Sequence, residues 1–253
     1  MPVPQAWNNA LMPLVEFRDI SHAIDGRQVL SGVSFTVEAG ETLVLLGRSG
    51  SGKTTTLKMT NGMLFPTRGQ VLVNGKPTTE WDPIRLKRQT GYVIQDVGLF
   101  PHFTVGENVG LVPTLEGWPR RKVDQQVNRL LECVGLPPGE FLSRYPRQLS
   151  GGQRQRVGVA RALGADPPLL LFDEPFGAVD PVTRRELQQQ FLELRRAFQK
   201  TSIFVTHDVR EALRLGTRIA LLAQGRLEAI AGPQEFRHAQ TDEARAFLAG
   251  LDE

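Results

Sequence analysis

The run ETLVLLGRSGSGKTTTLKMT, residues 41–60, restricts the fold more than any other part of the chain. Thr42 to Leu46 forms a short, almost wholly apolar stretch of the kind found in strands buried on both faces. Three glycines follow at 47, 50 and 52, and from Lys53 to Met59 the pattern shifts towards a helical period. Glycine lets successive backbone N–H groups curl around an anion, and a helix beginning immediately afterwards adds the positive end of its dipole. Gly47, Arg48, Ser49, Gly50, Ser51, Gly52, Lys53 and Thr54 fit G-x-x-x-x-G-K-[ST] between a predicted strand and a predicted helix. In that setting Lys53 reaches the β and γ phosphates of a nucleotide, and the Thr54 hydroxyl ligates Mg²⁺.

Composition sets wider bounds. The chain has 253 residues, 40% hydrophobic and 23% charged, as expected of a soluble globular domain, alone or with an inserted subdomain. No apolar run approaches the roughly 18 residues of a membrane span. The start, MPVPQAWNNALMPLVEF, lacks the basic flank and apolar core of a signal peptide, so the chain is expected in the cytosol. One cysteine, Cys133, excludes an internal disulfide framework and reads as a small apolar helix residue. The net charge of +3 is carried by interspersed residues and selects no partner.

Short β-rich runs alternate with helical ones along the chain. VEFRDI (15–20) and VSFTV (33–37) alternate like half-buried strands; GYVIQ (91–95), LLLFD (169–173) and SIFVTH (202–207) read as buried strands, the last two followed by helices. This order predicts an α/β fold, with a mainly parallel core sheet and ligand groups at the strand C-termini. The strand-dominated first sixty residues predict an antiparallel β layer beside it. Residues 120–136 place Val123, Val127, Leu130, Leu131 and Val134 at helical spacing, and Ser150 is a candidate N-cap for a helix ending near Leu163. The expected organisation is a core of residues 14–95 and 166–253 with a helical subdomain, 96–165, inserted between. A hairpin turning at Gln224 and Gly225, then short helices at 233–236 and 241–248, close the chain.

LLLFDEP supplies an acidic strand end: Asp173 to hold Mg²⁺, usually through water, and Glu174 to polarise an attacking water. Gln95 and His207 also stand at predicted strand ends, where a parallel sheet gathers its ligand groups. A second small polar surface, LSGGQ (Leu149, Ser150, Gly151, Gly152, Gln153), could also approach an anion, although the chain already has a phosphate loop.

Taken together these stretches resemble the ATP-binding subunits of ABC transporters: Walker A at Gly47–Thr54, Q-loop at Gln95, signature at Leu149–Gln153, Walker B at Leu169–Asp173, D-loop at Gly177–Asp180 and H-loop at His207, in family order. The resemblance runs from about Val15 to Leu248. It implies ATP and Mg²⁺ as ligands, with Gly47 to Thr54 and Thr55 around the nucleotide and Thr54, Gln95 and Asp173 towards the metal. It further implies a head-to-tail dimer in which each ATP lies between the Walker A loop of one copy and the signature of the other. Two phosphate surfaces exist because each is half a site. Glu174 is then the general base, His207 contacts the γ-phosphate, Gln95 senses metal and γ-phosphate, and Asp180 communicates across the dimer. One position departs from the pattern: Ile24 stands where the family usually stacks an aromatic ring on adenine, with His22 as a possible substitute.

Within the family, the interval between Walker A and signature is too short for the coiled coil of chromosome-maintenance relatives, and the chain carries one ATPase domain and no fused membrane domain. LFPHFTVGENV (99–109) is similar to bacterial importers, where this region lies by the groove that receives a membrane subunit; Phe100, Phe103 and Val105 are its candidate lining residues. LVPTLEGWPRRKV (111–123), notably Pro113, Gly117 and Trp118, resembles the branch importing glycine betaine, choline and other quaternary amines. Trp118 itself reads as subdomain packing. The chain stops soon after Leu248, so the regulatory C-terminal domains of many such proteins are not expected. Implied partners are a second copy, membrane permease subunits at the cytoplasmic face of the inner membrane and, indirectly, a solute receptor, with no nucleic acid. An importer of amino acids or another small solute, and a soluble ABC ATPase acting on nucleic acid or ribosomes, stand as alternatives.

Overall fold

The computed structural model describes residues 12–95, 97–177 and 179–251. The N-terminal stretch read against a signal peptide lies largely outside these residues, as does Ala178 of the Gly177–Asp180 stretch. In chain order the elements are β1 (Val15–Ile24), β2 (Arg27–Val37), β3 (Thr42–Leu46), α1 (Lys53–Thr60), β4 (Arg68–Val73), β5 (Lys76–Pro77) and α2 (Pro83–Arg88). Next come β6 (Thr90–Val93), α3 (Val105–Leu115), α4 (Arg120–Cys133), α5 (Pro138–Phe141), α6 (Gly151–Leu163), β7 (Leu169–Asp173) and α7 (Pro181–Phe198). The last are β8 (Thr201–Thr206), α8 (Val209–Leu215), β9 (Arg218–Ala223), β10 (Arg226–Ala231), α9 (Pro233–Phe236) and α10 (Asp242–Ala249). The chain divides into two compact units, Met1–Lys87 with Lys200–Glu253, and Arg88–Gln199.

In the first unit β3 is buried along its whole length and hydrogen-bonded on both edges, parallel to β8 and to β9. Leu46 is level with Thr206 on one side and Leu221 on the other, so the residues that follow β3 and β8 emerge at one edge. The expected antiparallel layer is present, ordered β2-β1-β4-β5. Its strands β4 and β5 come from beyond the first sixty residues, a contribution the sequence pattern did not reveal. Phe17 and Phe35, direct cross-strand partners, stack at 4.4 Å in its core. The β9–β10 hairpin turns at Gln224 (φ 48°) and Gly225 (φ 75°), the doubly left-handed pair that matches strand twist. A Cβ on Gly225 would lie 2.3 Å from the Val29 carbonyl oxygen, and the Gly225 carbonyl accepts from Ser31 N–H at 2.8 Å; only glycine allows that approach to β2.

The second unit holds the helices expected between residues 96 and 165 together with β6, β7 and α7. β6 and β7 pair in parallel from Thr90 against Leu169 to Val93 against Phe172. A Cβ on Gly91 would stand 2.4 Å from the Ala162 carbonyl oxygen, so α6 lies directly against β6. In α4, Val123, Val127, Leu130 and Leu131 are buried, with Val134 just past its end. Cys133 is exposed, which corrects its reading as an apolar helix residue. It is helical, but one position off the stripe formed by Leu130, Leu131 and Val134, so the helix turns it towards solvent.

Candidate functional site

The phosphate loop is shaped by close contacts that exclude side chains. A Cβ on Gly47 would lie 2.2 Å from the Leu222 carbonyl oxygen and 2.6 Å from Ser51 Oγ; one on Gly52 would lie 2.5 Å from Leu30 Cδ2. Gly52 (φ 102°) and Gly50 (φ 78°) also adopt left-handed backbone. Lys53 is buried and its Nζ donates back to the carbonyls of Gly47 (2.8 Å) and Arg48 (2.9 Å), so the ammonium lies over the loop's own curve. Ser51 Oγ is buried without a protein hydrogen-bond partner. α1 starts at Lys53 with no side-chain cap and no acidic residue in its first turn, which leaves its positive end uncompensated. Thr54 and Thr55 are half-buried in that turn. Arg48 is 68% exposed and its Nε meets Glu243 Oε1 of α10 at 2.7 Å.

His207 is the first residue after β8, one place beyond the Leu46–Thr206 register pair, so it leaves the same sheet edge as Gly47. Its side chain is exposed, but its backbone is held on both sides. Thr206 Oγ1 accepts from Asp208 N–H and donates to buried Glu211, and Asp208 caps α8 through Arg210 N–H. Ile24 ends β1 and is 46% exposed, an apolar surface on the antiparallel layer. His22, level with Leu30 in the sheet, has both ring nitrogens buried without a partner.

In the second unit β7 carries Asp173 to its last position, and Glu174 bends away in left-handed conformation (φ 45°), an unusual posture for a side-chain-bearing residue. β6 ends at Val93, so Gln95 stands in an exposed turn two residues further on and not at the strand's last position. The fold nevertheless brings Gln95 and Glu174 together. The place a Cβ would take on Gly177 is 3.6 Å from Gln95 Nε2 and 3.9 Å from Glu174 Oε2. Two contributors escaped the sequence reading. The Tyr92 hydroxyl donates to Asp173 Oδ2 at 3.2 Å; burial first, then the Asp173 charge, holds the phenol above its usual pKa, so it remains the donor. Arg161 donates to the carbonyls of Val97 (2.6 Å) and Gly98 (2.7 Å), tying the segment after Gln95 to α6.

Ser150 is the N-cap of α6 as expected, in a full capping box. Its Oγ accepts from Gln153 N–H (3.2 Å), and its own N–H donates to Gln153 Oε1 (2.9 Å). Gly151 and Gly152 fill the first two helical positions, no acid stands in the first turn, and Leu149 is buried as the anchor. A Cβ on Gly152 would press to 2.7 Å on Thr183 Cγ2, whereas one on Gly151 would meet only Arg154 Nη2, at 4.0 Å. Asp180 caps α7, accepting from Val182 (3.1 Å) and Thr183 (3.0 Å) N–H groups. A groove of about 630 Å³ runs along α3 and α4, with Phe103, Leu111, Trp118, Val127 and Leu142 among its walls. Of the residues expected there, Phe103 lines it, Phe100 is 41% exposed and Val105 is core. Trp118 packs under Lys122, whose Nζ stands 3.7 Å from the ring centroid.

The ABC transporter family model matches residues 30–177, and the chain belongs to that family. The osmoprotectant import ATP-binding protein OsmV of Salmonella typhimurium is 48% identical over 225 residues, 89% of this chain and 59% of the relative. The glycine betaine/carnitine/choline transport ATP-binding protein OpuCA of Bacillus subtilis is 46% identical over 211 residues, 83% of this chain and 55% of the relative. The chain thus spans somewhat over half the length of these relatives. Among solved structures, a dimeric post-hydrolysis state of the ATP-binding cassette MJ0796 bound to ADP and Pi superposes with a TM-score of 0.77 at 31% identity. That match covers 87% of this chain and 98% of the other. The α/β cassette fold expected from the sequence is therefore the fold observed.

Hydrogen bonds from Thr183, its hydroxyl first and then its N–H, hold the Asp180 carboxyl below the usual carboxylate range. A depressed folded-state pKa makes this cap stabilising above the unfolded carboxylate pKa, and the contribution is lost as pH falls through the folded value. Urea unfolding should find D180A less stable than wild type at pH 7, with the gap narrowing as the buffer is taken into the acid range below pH 4 or so.

Proposed function

We propose that this chain is the ATP-hydrolysing subunit of an importer, working as a head-to-tail pair bound to membrane permease subunits. The observation that carries this reading is the phosphate loop: a backbone closed to side chains at Gly47 and Gly52, feeding an uncapped helix end with Lys53 folded over it. Lys53, the loop N–H groups of Gly47 to Gly52 and the Thr54 and Thr55 turn bind the phosphates of ATP. Ile24 covers adenine with apolar surface in place of a stacked ring.

The donor set fits Mg²⁺. Among the described residues no group of three or more histidine, cysteine, aspartate or glutamate side chains could hold a metal alone. A hydroxyl at Thr54, an amide at Gln95 and a carboxylate at Asp173 are hard oxygen donors of the kind Mg²⁺ takes when phosphate oxygens complete its shell. Held by Thr54, Gln95 and Asp173, Mg²⁺ would supply positive charge to offset that developing on the γ-phosphate. Glu174 accepts a proton from the attacking water, His207 contacts the γ-phosphate and orders that water, and Gln95 senses Mg²⁺ and the γ-phosphate.

Ser150, Gly151, Gly152 and Gln153 complete the γ-phosphate site of a second copy, with Leu149 as their buried anchor, and Asp180 communicates across the pair. The N-terminus of α6 supports this: it is capped by Ser150 and Gln153 but has no acidic residue in its first turn, so its positive end is open to an anion. Binding two ATP closes the pair and hydrolysis reopens it, a shift that requires tighter nucleotide binding by the closed form. The groove along α3 and α4 is the permease docking site, its apolar walls being the kind of exposed surface that marks an interface. No helix among the described residues is long and apolar enough to cross a membrane, so this docking would hold the chain at the cytoplasmic face of the inner membrane. The names of the similar proteins support an osmoprotectant of the glycine betaine, choline or carnitine type as the solute, delivered by a separate receptor.

Replacing Glu174 by Gln should slow hydrolysis by about 10²- to 10⁴-fold and leave ATP affinity intact. It should also convert monomer to an ATP-dependent dimer on gel filtration; wild-type turnover would remove Glu174 from its role. Purified from its own cells in mild detergent, the tagged chain should bring down a multi-span membrane protein and a solute receptor that binds betaine or choline by calorimetry. A receptor that binds only amino acids or polyamines would overturn the solute assignment, and ribosomes or DNA-associated proteins without a membrane subunit would overturn the importer.

A further inference from the structure

Tyr92 has no part in the reading above, yet its hydroxyl is bonded to the carboxylate that ends β7. The register explains how it gets there. Tyr92 is level with Leu171 in the parallel β6–β7 pair, and Asp173 lies two residues further along the same face. A tyrosine leaning towards the strand ends is long enough to cover that step, and its ring is half-buried on the way. Phenylalanine would fill the same space, so packing alone does not call for a hydroxyl.

We propose that Tyr92 is a positioning residue for Asp173: the phenol pins the carboxylate at Oδ2 so that the side chain meets the Mg²⁺–nucleotide already oriented. The proposal rests on the reading of Asp173 as a metal-side residue. A terminal aspartate turning freely about its two side-chain torsions must be ordered on taking up a ligand, and one already held has lost that freedom. The hydrogen bond also draws some charge from the carboxylate, which opposes metal binding. Orientation outweighs this, because hydrogen bonds to ligating groups from the surrounding shell generally raise metal affinity. Tyr92 sits on the strand that leads, three residues on, to Gln95, and Asp173 precedes Glu174, so the same bond ties the two strands from which those groups depart.

The test uses Mn²⁺ as the probe, its binding to the ADP complex read by electron paramagnetic resonance for wild type, Y92F and D173N, with ADP affinity measured separately in EDTA. Y92F should weaken Mn²⁺ binding about tenfold. Its metal-free ADP affinity should stay at the wild-type value, which a merely structural role would not predict. Wild-type Mn²⁺ affinity in Y92F beside a clear loss in D173N would overturn the proposal and leave the reading of Asp173 standing. Wild-type affinity in D173N would overturn that reading and the proposal with it. A Y92F protein that loses ADP affinity even in EDTA would show tyrosine serving the fold, and would also overturn the proposal.

Discussion

Everything at the phosphate loop depends on the burial of β3 between two parallel neighbours. With hydrogen bonds on both edges and no exposed face, the strand has no register freedom, and Gly47 leaves the sheet at a fixed point beside the Leu222 carbonyl. A one-residue slip would drive Leu46 out of the core and put a side chain where the loop admits none. The same pairing sets His207 at the edge from which Gly47 departs, so strand register alone brings together residues 160 positions apart in the chain.

Two helix ends share one electrostatic problem. α1 and α6 both begin with glycine nearby, neither has an acid in its first turn, and proteins ordinarily compensate such ends with carboxylates or caps. At α6 the Ser150–Gln153 capping box satisfies two backbone donors and keeps the end rigid, while the Cβ position of Gly151 is approached only by Arg154 Nη2, at 4.0 Å. At α1 there is no side-chain cap. Such ends cost stability unless negative charge meets them, and the proposed two-copy arrangement would bring a nucleotide phosphate to each. α7 and α8, by contrast, are capped by Asp180 and Asp208.

Much of this was legible in the sequence where one local signal sufficed. β3, β7 and β8 are continuous apolar runs, Ser150 and Gln153 have capping-box spacing, and Gln224–Gly225 is turn chemistry flanked by strands. What the sequence hid depends on register between distant segments. The Tyr92–Asp173 bond needs β6 aligned with β7, and the meeting of Gln95 with Glu174 at Gly177 needs a turn that carries Gln95 past its strand. β4 escaped because only its last three residues are buried, β5 because it is two residues long, and the exposure of Cys133 because helical spacing fixes a stripe only to within one residue. Ile24 stands exposed at the end of β1, and sequence could not show that His22, on the same strand, buries two unpartnered nitrogens.

The central claim, that each ATP site is built from two copies, is tested most directly by mixing two defective chains. In a Glu174→Gln background, one chain carries Lys53→Ala and the other Ser150→Arg, and neither alone should retain radiolabelled ATP through a desalting column. A head-to-tail pair of the two has one site with both lesions and one with neither, so the equimolar mixture should trap about one ATP per mixed dimer. If the mixture traps no more than its separate components, Lys53 and Ser150 serve the same site within one chain, and the two-copy account is wrong.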